Sequence, residues 1–319
     1  MIRVLLSRKV CKCLLLVIAR HMSGPGLFSR IPTMGGRQFW SDVWIGGGAR
    51  IQRNVWTGHH RTLDAANRRI VFGSRPVCLT SARKMLSGRQ SMARDIRSSR
   101  QATLIVFLHG LYRSRKSLQR LENRLACLGW STMAIGYPSA VASIQDHAGQ
   151  VNRLLDQTHG YSRIIFVGHS LGGLVARAAL ADPGGWHVRM TVAGLIQLGT
   201  PNQGAQLASW LRRRRVIRKF LTTPVRELST RITIPEPHRE IPVMVIAGGG
   251  SRGRGYNPWL EGNNDGVVRV EETALTRPHR HHVVPAIHTF LMNHPRTTRL
   301  VVQGANAWSS ASPCPSHQP

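Results

Sequence analysis

The stretch RIIFVGHSLGGLVARAAL, Arg163–Leu180, passes from an apolar run to a helical pattern through a turn in which two glycines flank a serine. Arg163–Val167 has the length and composition of a buried strand, and Leu171–Leu180 reads as a helix. Between them, Gly168-His169-Ser170-Leu171-Gly172 has the spacing Gly-x-Ser-x-Gly. A serine on so sharp a turn is forced into a backbone geometry that only small neighbours tolerate, which gives Gly168 and Gly172 a mechanical role. Its hydroxyl then stands above a sheet, and the start of the helix favours negative charge developing beside it. The spacing alone is common; the strand before it and the helix after it give it weight.

The pattern extends in both directions. Thr103–Leu108 (TLIVFL) is a second buried-strand run, followed by a turn at His109-Gly110 and a helical stretch over about 117–128. Ser131–Ile135 is the next strand, ended by GYPS, and a helix over about 143–158 leads back to Arg163. Val192–Leu198 and Ile241–Ala247 supply two more strands. Strands alternating with helices predict an α/β fold, with a mostly parallel central sheet covered by helices on both faces. Residues 101–305 are expected to form this domain. Residues 1–100 read as an irregular Arg- and Gly-rich N-terminal extension with one strand at Arg69–Gly73, and 306–319 as a disordered tail.

A serine hydroxyl is a poor nucleophile until a base takes its proton, and that base needs an acid to orient it. Two N–H donors must also face the oxyanion that forms. The Leu171 amide follows the serine directly. The turn after Thr103–Leu108 offers the second donor, since Gly110 lets the backbone bend and the Leu111 amide can face inward. His109, Gly110 and His169 are expected to line the substrate. Among the few carboxylates after Ser170, Asp265 in GNNDGVV lies beyond the Ile241–Ala247 strand, at the carboxyl edge where open α/β sheets bind ligands. Two other readings stay open there: Glu261 as the acid, and Asp265 as a plain Asx-turn residue, which Asn-Asp-Gly suits. For the base, RPHRHHVVPAIHTFLMNHP holds five of the fifteen histidines. Adjacent His281 and His282 point to opposite faces of a strand, which argues against a metal cluster. His279 stands with them near the strand's exposed start, and His294 precedes a proline at the start of a helix. His288 is left on the loop after the strand as the candidate base, with His282 and His294 behind it.

The segments LHGL, GYPS, VGHSLGGLVAR, LGTPNQG, NNDGVV and IHTFLMNHP, in this order, resemble the α/β-hydrolase fold in its lipase/esterase-like branch, over roughly residues 101–305. The resemblance implies a serine hydrolase of carboxylic esters with a triad in chain order Ser170, Asp265, His288. It also implies an acyl-enzyme intermediate, no cofactor and no metal. An acyltransferase using the same residues is the alternative within the class. A basic protein with an inactive hydrolase fold, binding membrane or nucleic acid, is the alternative outside it. Pro201 and Gly204 in LGTPNQG are expected to shape the site, and a small cap is expected near 205–238.

Charge is the strongest compositional signal: 44 Lys plus Arg against 14 Asp plus Glu, a net charge of +30. All but Lys9, Lys12, Lys84, Lys116 and Lys219 of these cations are arginines. Their scatter, with no basic-aromatic stripe, no zinc-finger spacing and no Gly-rich phosphate loop, argues against nucleic acid as a partner. The expected partner is a small-molecule or lipid ester, with peripheral contact to anionic membrane through the Arg-rich 212–219 segment as a further reading. The first 22 residues resemble a weak signal-anchor, but Lys12 interrupts the run and Cys13–Ala19 falls short of the ~20 residues that span a bilayer. A cytoplasmic or peripherally membrane-associated protein is expected. The five cysteines have no zinc-knuckle or CxxC spacing and are expected to be reduced.

Overall fold

A computed structural model describes residues 37–87, 99–213, 222–229 and 232–310. The described residues divide into two compact units, one holding residues 44–87 and the other 37–43 together with those from 99 onward. Among the described residues, no helix is long and apolar enough to cross a membrane. The first 22 residues and most of the Arg-rich 212–219 segment lie outside the described residues.

The first unit is not irregular. It holds most of a four-stranded sheet in the order β1-β2-β3-β4, formed by β1 (Trp40–Gly46), whose first four residues are counted with the second unit, β2 (Ala49–Asn54), β3 (His60–Leu63) and β4 (Arg69–Gly73). The β2–β3 and β3–β4 pairs are antiparallel. Helix α1 (Arg75–Ser87) packs on it, and the Cys78 carbonyl accepts a hydrogen bond from Thr62. Only β4 stands out in the sequence. One reason is that buried Arg61 on β3 is satisfied by Gln52 opposite it on β2, at 2.9 and 2.7 Å, so polar residues occupy positions where an apolar alternation would be sought.

The second unit is built on six parallel strands in the order β10-β9-β8-β7-β5-β6. These are β5 (Thr103–Leu108), β6 (Ser131–Ile135), β7 (Arg163–His169), β8 (Thr191–Leu198), β9 (Val243–Gly249) and β10 (Arg280–Pro285). β5 and β7 are nearly all buried, as their continuous apolar runs require. Helix α2 (Gln119–Cys127) connects β5 to β6, α3 (Ile144–Asp156) connects β6 to β7, and α4 (Leu171–Ala181) connects β7 to β8. Ser143 caps α3 through a capping box with Asp146. The chain reverses direction across the sheet between the β5–β6 and β6–β7 connections, and right-handed crossovers then put α2 and α3 on opposite faces.

The reversal leaves a switch point between the carboxyl ends of β5 and β7, where ligands of such sheets bind. The register pairs Leu108 with Gly168, so the turn after β5 lies beside the turn after β7. α5 (Gln206–Arg213) and α6 (Thr223–Leu228) follow β8, and α7 (Pro295–Ser310) closes the unit. Buried Trp308 of α7 fills the space over Gly194 of β8, which a side chain there would occupy. The helix thus runs to Ser310, beyond the 306 at which the sequence suggests a tail.

Candidate active site

The turn after β7 is strained where the sequence requires it. Ser170 has φ 54° and ψ −121°, a left-handed conformation that costs a non-glycine residue ~1–3 kcal/mol. Its amide donates to the Leu198 carbonyl at 2.8 Å and its carbonyl accepts from Gly173, so the surroundings hold the strain. A Cβ on Gly168 would lie 2.5 Å from the Gly173 backbone, and one on Gly172 would run into the Leu108 carbonyl. Both flanking glycines are therefore steric requirements of this crossing. The Leu171 amide is the first of α4, one of the four that have no intrahelical acceptor.

The turn after β5 sits against this serine. A Cβ on Gly110 would come within 2.9 Å of His169 Nδ1 and 3.1 Å of Ser170 Cβ. Leu111 follows, half-buried, and the turn closes through the Arg113 amide on the Gly110 carbonyl at 3.1 Å. His109 itself is sealed. Its ring stacks on Tyr137 with centroids 4.1 Å apart, and the Tyr137 hydroxyl donates to the His109 carbonyl. Nδ1 donates to the Gly110 carbonyl (3.0 Å), which leaves Nε2 to accept from the Tyr137 amide (3.4 Å). Burial pushes this imidazole down to about 4, so it is neutral near pH 7.

Three residues of GNNDGVV have separate tasks. Asn263 Oδ1 accepts from the Gly250 amide (2.8 Å), pinning the loop to the end of β9. Buried Asn264 donates to the carbonyls of Asn257 and Gly262 (both 3.1 Å) and accepts from the amides of Asn257 and Gly266, gathering residues 257–266 around one side chain. Asp265 is 1% exposed. Its Oδ1 accepts from the Val267 and Val268 amides (3.0 and 2.8 Å), an Asx turn, while its Oδ2 accepts from His288 Nδ1 at 2.6 Å. Glu261 is exposed and takes no part.

His288, at the start of a 3-10 turn after β10, is buried and doubly attached to the acid loop, since its amide also donates to the Asp265 carbonyl (2.8 Å). With Nδ1 donating to the carboxylate, Nε2 carries the free lone pair, and no described residue partners it. Gly199 holds this pair close: a Cβ there would be 3.2 Å from both Asp265 Oδ2 and His288 Nδ1, and its φ of 57° suits glycine. His169, buried, links the serine turn to the histidine loop. Its Nε2 donates to the His288 carbonyl (3.1 Å), and the two rings lie 4.9 Å apart. Burial holds its pKa well below the usual histidine range. Of the three residues expected to line the substrate, Gly110 flanks Ser170, and the His109 and His169 side chains are buried.

Elsewhere in the C-terminal stretch, the His279 and His281 rings meet edge to face with centroids 5.6 Å apart. His281 Nε2 meets Thr273 Oγ1 at 2.9 Å, His279 bonds the Arg277 carbonyl, and His294 accepts from the Arg296 amide. Among the described residues, no three His, Cys, Asp or Glu side chains gather as a metal set would.

The LGTPNQG loop contributes residues that the sequence reading overlooks. Asn202 donates to the Gln197 side chain (2.8 Å) and the Thr273 carbonyl (2.7 Å), and accepts from buried Arg177 (2.9 Å). Glu272 accepts from the amides of Gln206 (2.7 Å) and Arg269 (2.8 Å), and burial raises its pKa. Together they tie the loop after β8 to the end of the acid loop. Their polarity in so buried a place was the available signal.

This architecture is that of the α/β-hydrolase fold. Residues 138–252 match the family described as PGAP1-like alpha/beta domain, a match that includes Ser170 and ends before Asp265 and His288. The chain is also similar to the crystal structure of the mature Bacillus licheniformis lipase BlEst2, at 20% identity and a TM-score of 0.53, over 68% of this chain and 96% of that one. The propeptide form of the same lipase aligns with the same identity and score over 69% of this chain and 52% of that one. No curated protein matches the sequence.

Proposed function

We propose that the protein is a serine hydrolase of carboxylic esters, in which Ser170, His288 and Asp265 act as nucleophile, base and orienting acid. The observation that carries this reading is the buried 2.6 Å contact between His288 Nδ1 and Asp265 Oδ2, made against the strained turn that presents Ser170. In this reading Ser170 Oγ adds to the acyl carbon while its proton passes to His288 Nε2. The Leu111 and Leu171 amides receive the oxyanion. His288 then gives the proton to the departing alkoxide, leaving the acyl group on Ser170. Water loses a proton to the same nitrogen and attacks the acyl carbon; the bond to Ser170 Oγ breaks, His288 returns the proton to that oxygen, and the acid is freed. Asp265 keeps the imidazole in the tautomer that exposes Nε2 throughout.

The fold shared with a lipase supports the class, and the acyl-enzyme route is our inference from the residues. His109 and His169 act as positioning residues, holding the two turns on either side of the serine. Ser170→Ala is expected to reduce p-nitrophenyl ester hydrolysis to background with an unchanged melting curve. Retention of full activity would overturn the assignment.

A further inference from the structure

Residues 37–43 are counted with the second unit, although the whole of the first unit separates them from β5 in the chain. Buried Asp42 anchors them. Its amide donates to the Gly136 carbonyl (2.9 Å), and the Gly136 amide donates to its Oδ2 (2.7 Å). Gln150 on α3 adds bonds from Nε2 to the carbonyls of Asp42 and Gly136 (2.9 and 3.0 Å). A buried carboxylate bonded in this way makes a fixed point. Gln38, four residues earlier, uses both ends of its side-chain amide. Oε1 accepts from Ser139 Oγ and the Ala140 amide, both at 3.2 Å, in the turn after β6. Nε2 donates to the Arg113 carbonyl at 2.8 Å.

Arg113 ends the turn that packs on Ser170. Its amide bonds the Gly110 carbonyl, and of the two residues between them only Tyr112 has a positive φ, 55°. This is the pattern of a type II turn, which favours glycine or asparagine where Tyr112 stands. A tyrosine there costs ~1–3 kcal/mol and persists only where the surroundings over-determine it. The Tyr112 side chain is exposed, its hydroxyl 3.3 Å from Thr222 Oγ1, so burial of the ring does not hold the conformation. The ends of the turn are what is held. Gly110 is packed against His169 and Ser170, and the Arg113 carbonyl is bonded by Gln38. A hydrogen bond worth a net ~0.5–1.5 kcal/mol is of the same order as the strain, so its loss is enough to loosen the turn.

We propose that Gln38 is a positioning residue for the chemistry at Ser170. Anchored through Asp42, it clamps the Arg113 carbonyl and holds residues 110–113 in the strained form that directs the Leu111 amide at the oxyanion. A donor held in advance need not reorganise when the charge develops. The catalytic consequence rests on the hydrolase reading; the clamp on the turn does not.

Two variants of the full chain test it. Gln38→Glu keeps acceptors for Ser139 and Ala140 and removes the donor to Arg113, whereas Gln38→Ala removes both. Each is expected to lower kcat for a p-nitrophenyl ester about tenfold, less than the loss of a whole oxyanion donor, with KM within about twofold of wild type. Fluorophosphonate labelling of Ser170 should slow by a similar factor. Amide hydrogen exchange in a peptide covering 110–114 should quicken about tenfold, while amides of β7 exchange as in wild type. Unchanged kcat in both variants of an active enzyme overturns the proposal, as does unchanged exchange at 110–114. Faster exchange throughout the second unit also overturns it, since Gln38 would then only stabilise the fold. If the wild-type chain neither hydrolyses esters nor takes the label, the hydrolase reading fails and exchange alone decides the clamp: quickening confined to 110–114 retains it, and no quickening refutes it.

Discussion

The turns after β5 and β10 each carry a buried histidine at the same edge of the sheet, and the structure treats them in opposite ways. His109 has both ring nitrogens engaged with backbone groups and a face stacked on Tyr137. His288 is held at Nδ1 by Asp265 and has no described partner at Nε2. One is a strut, and the other keeps a nitrogen open, which the proposed mechanism uses as its base. Residue type and position on the edge do not separate them. What separates them is whether a lone pair remains open after the local hydrogen bonds are made.

The sharpest way to break this contrast is substitution. His288→Gln is expected to lower kcat for a p-nitrophenyl ester at least about 10³-fold, since the base is lost, without a large change in melting temperature. His109→Phe keeps a ring for the Tyr137 stack and removes only hydrogen bonds. It is expected to cost ~1–3 kcal/mol of stability by leaving buried partners unmatched, with kcat falling no more than about tenfold. Equal losses of kcat in the two variants would erase the distinction.

Gly110→Ala probes the turn that packs on the serine. The added methyl would press on His169 and on Ser170 Cβ, displacing the turn that offers the Leu111 amide. A fall in kcat of about 10²-fold with little change in KM is expected, as for loss of an oxyanion donor. Unchanged kcat would move the second donor elsewhere.

Protonation gives the smallest effect and sharpens the strut half of the contrast. Burial pushes His109 down to about 4; burial and then the neighbouring His109 push His147 to the same value. Between their ordinary value near 6.5 and about 4 the unfolded chain binds protons that the folded one does not, so the stability these neutral rings permit is fully present above pH 6.5 and lost as pH falls through that window. Each group can account for up to ~3 kcal/mol. Urea midpoints are expected to drop from pH 7 to pH 5, and His147→Gln should flatten that slope. A midpoint independent of pH across this range would contradict the buried, neutral assignment.

Much of this site was legible because its parts are short-range. Gly168 and Gly172 announce a strained turn, and the order of strands puts GNNDGVV and IHTFLMNHP on one edge. For Asp265 the sequence offered an acid or an Asx turn as rivals, and the side chain makes the contacts of both, one oxygen to the Val267 and Val268 amides and the other to His288. The first unit was hidden for a physical reason: strands as short as β3, with an Arg–Gln pair buried across them, carry no apolar period. The network of Asn202, Arg177, Thr273 and Glu272 joins the loop after β8 to partners 66 and 71 residues further along, and pairings at that separation leave no mark in a single sequence.

The central claim is that the open imidazole of His288 serves Ser170. Fluorophosphonate labelling followed by peptide mapping tests it most directly. One adduct on Ser170, abolished by Ser170→Ala and slowed by at least about a hundredfold in His288→Gln, is the expected result. Labelling elsewhere, or undiminished labelling of Ser170 without His288, would contradict it.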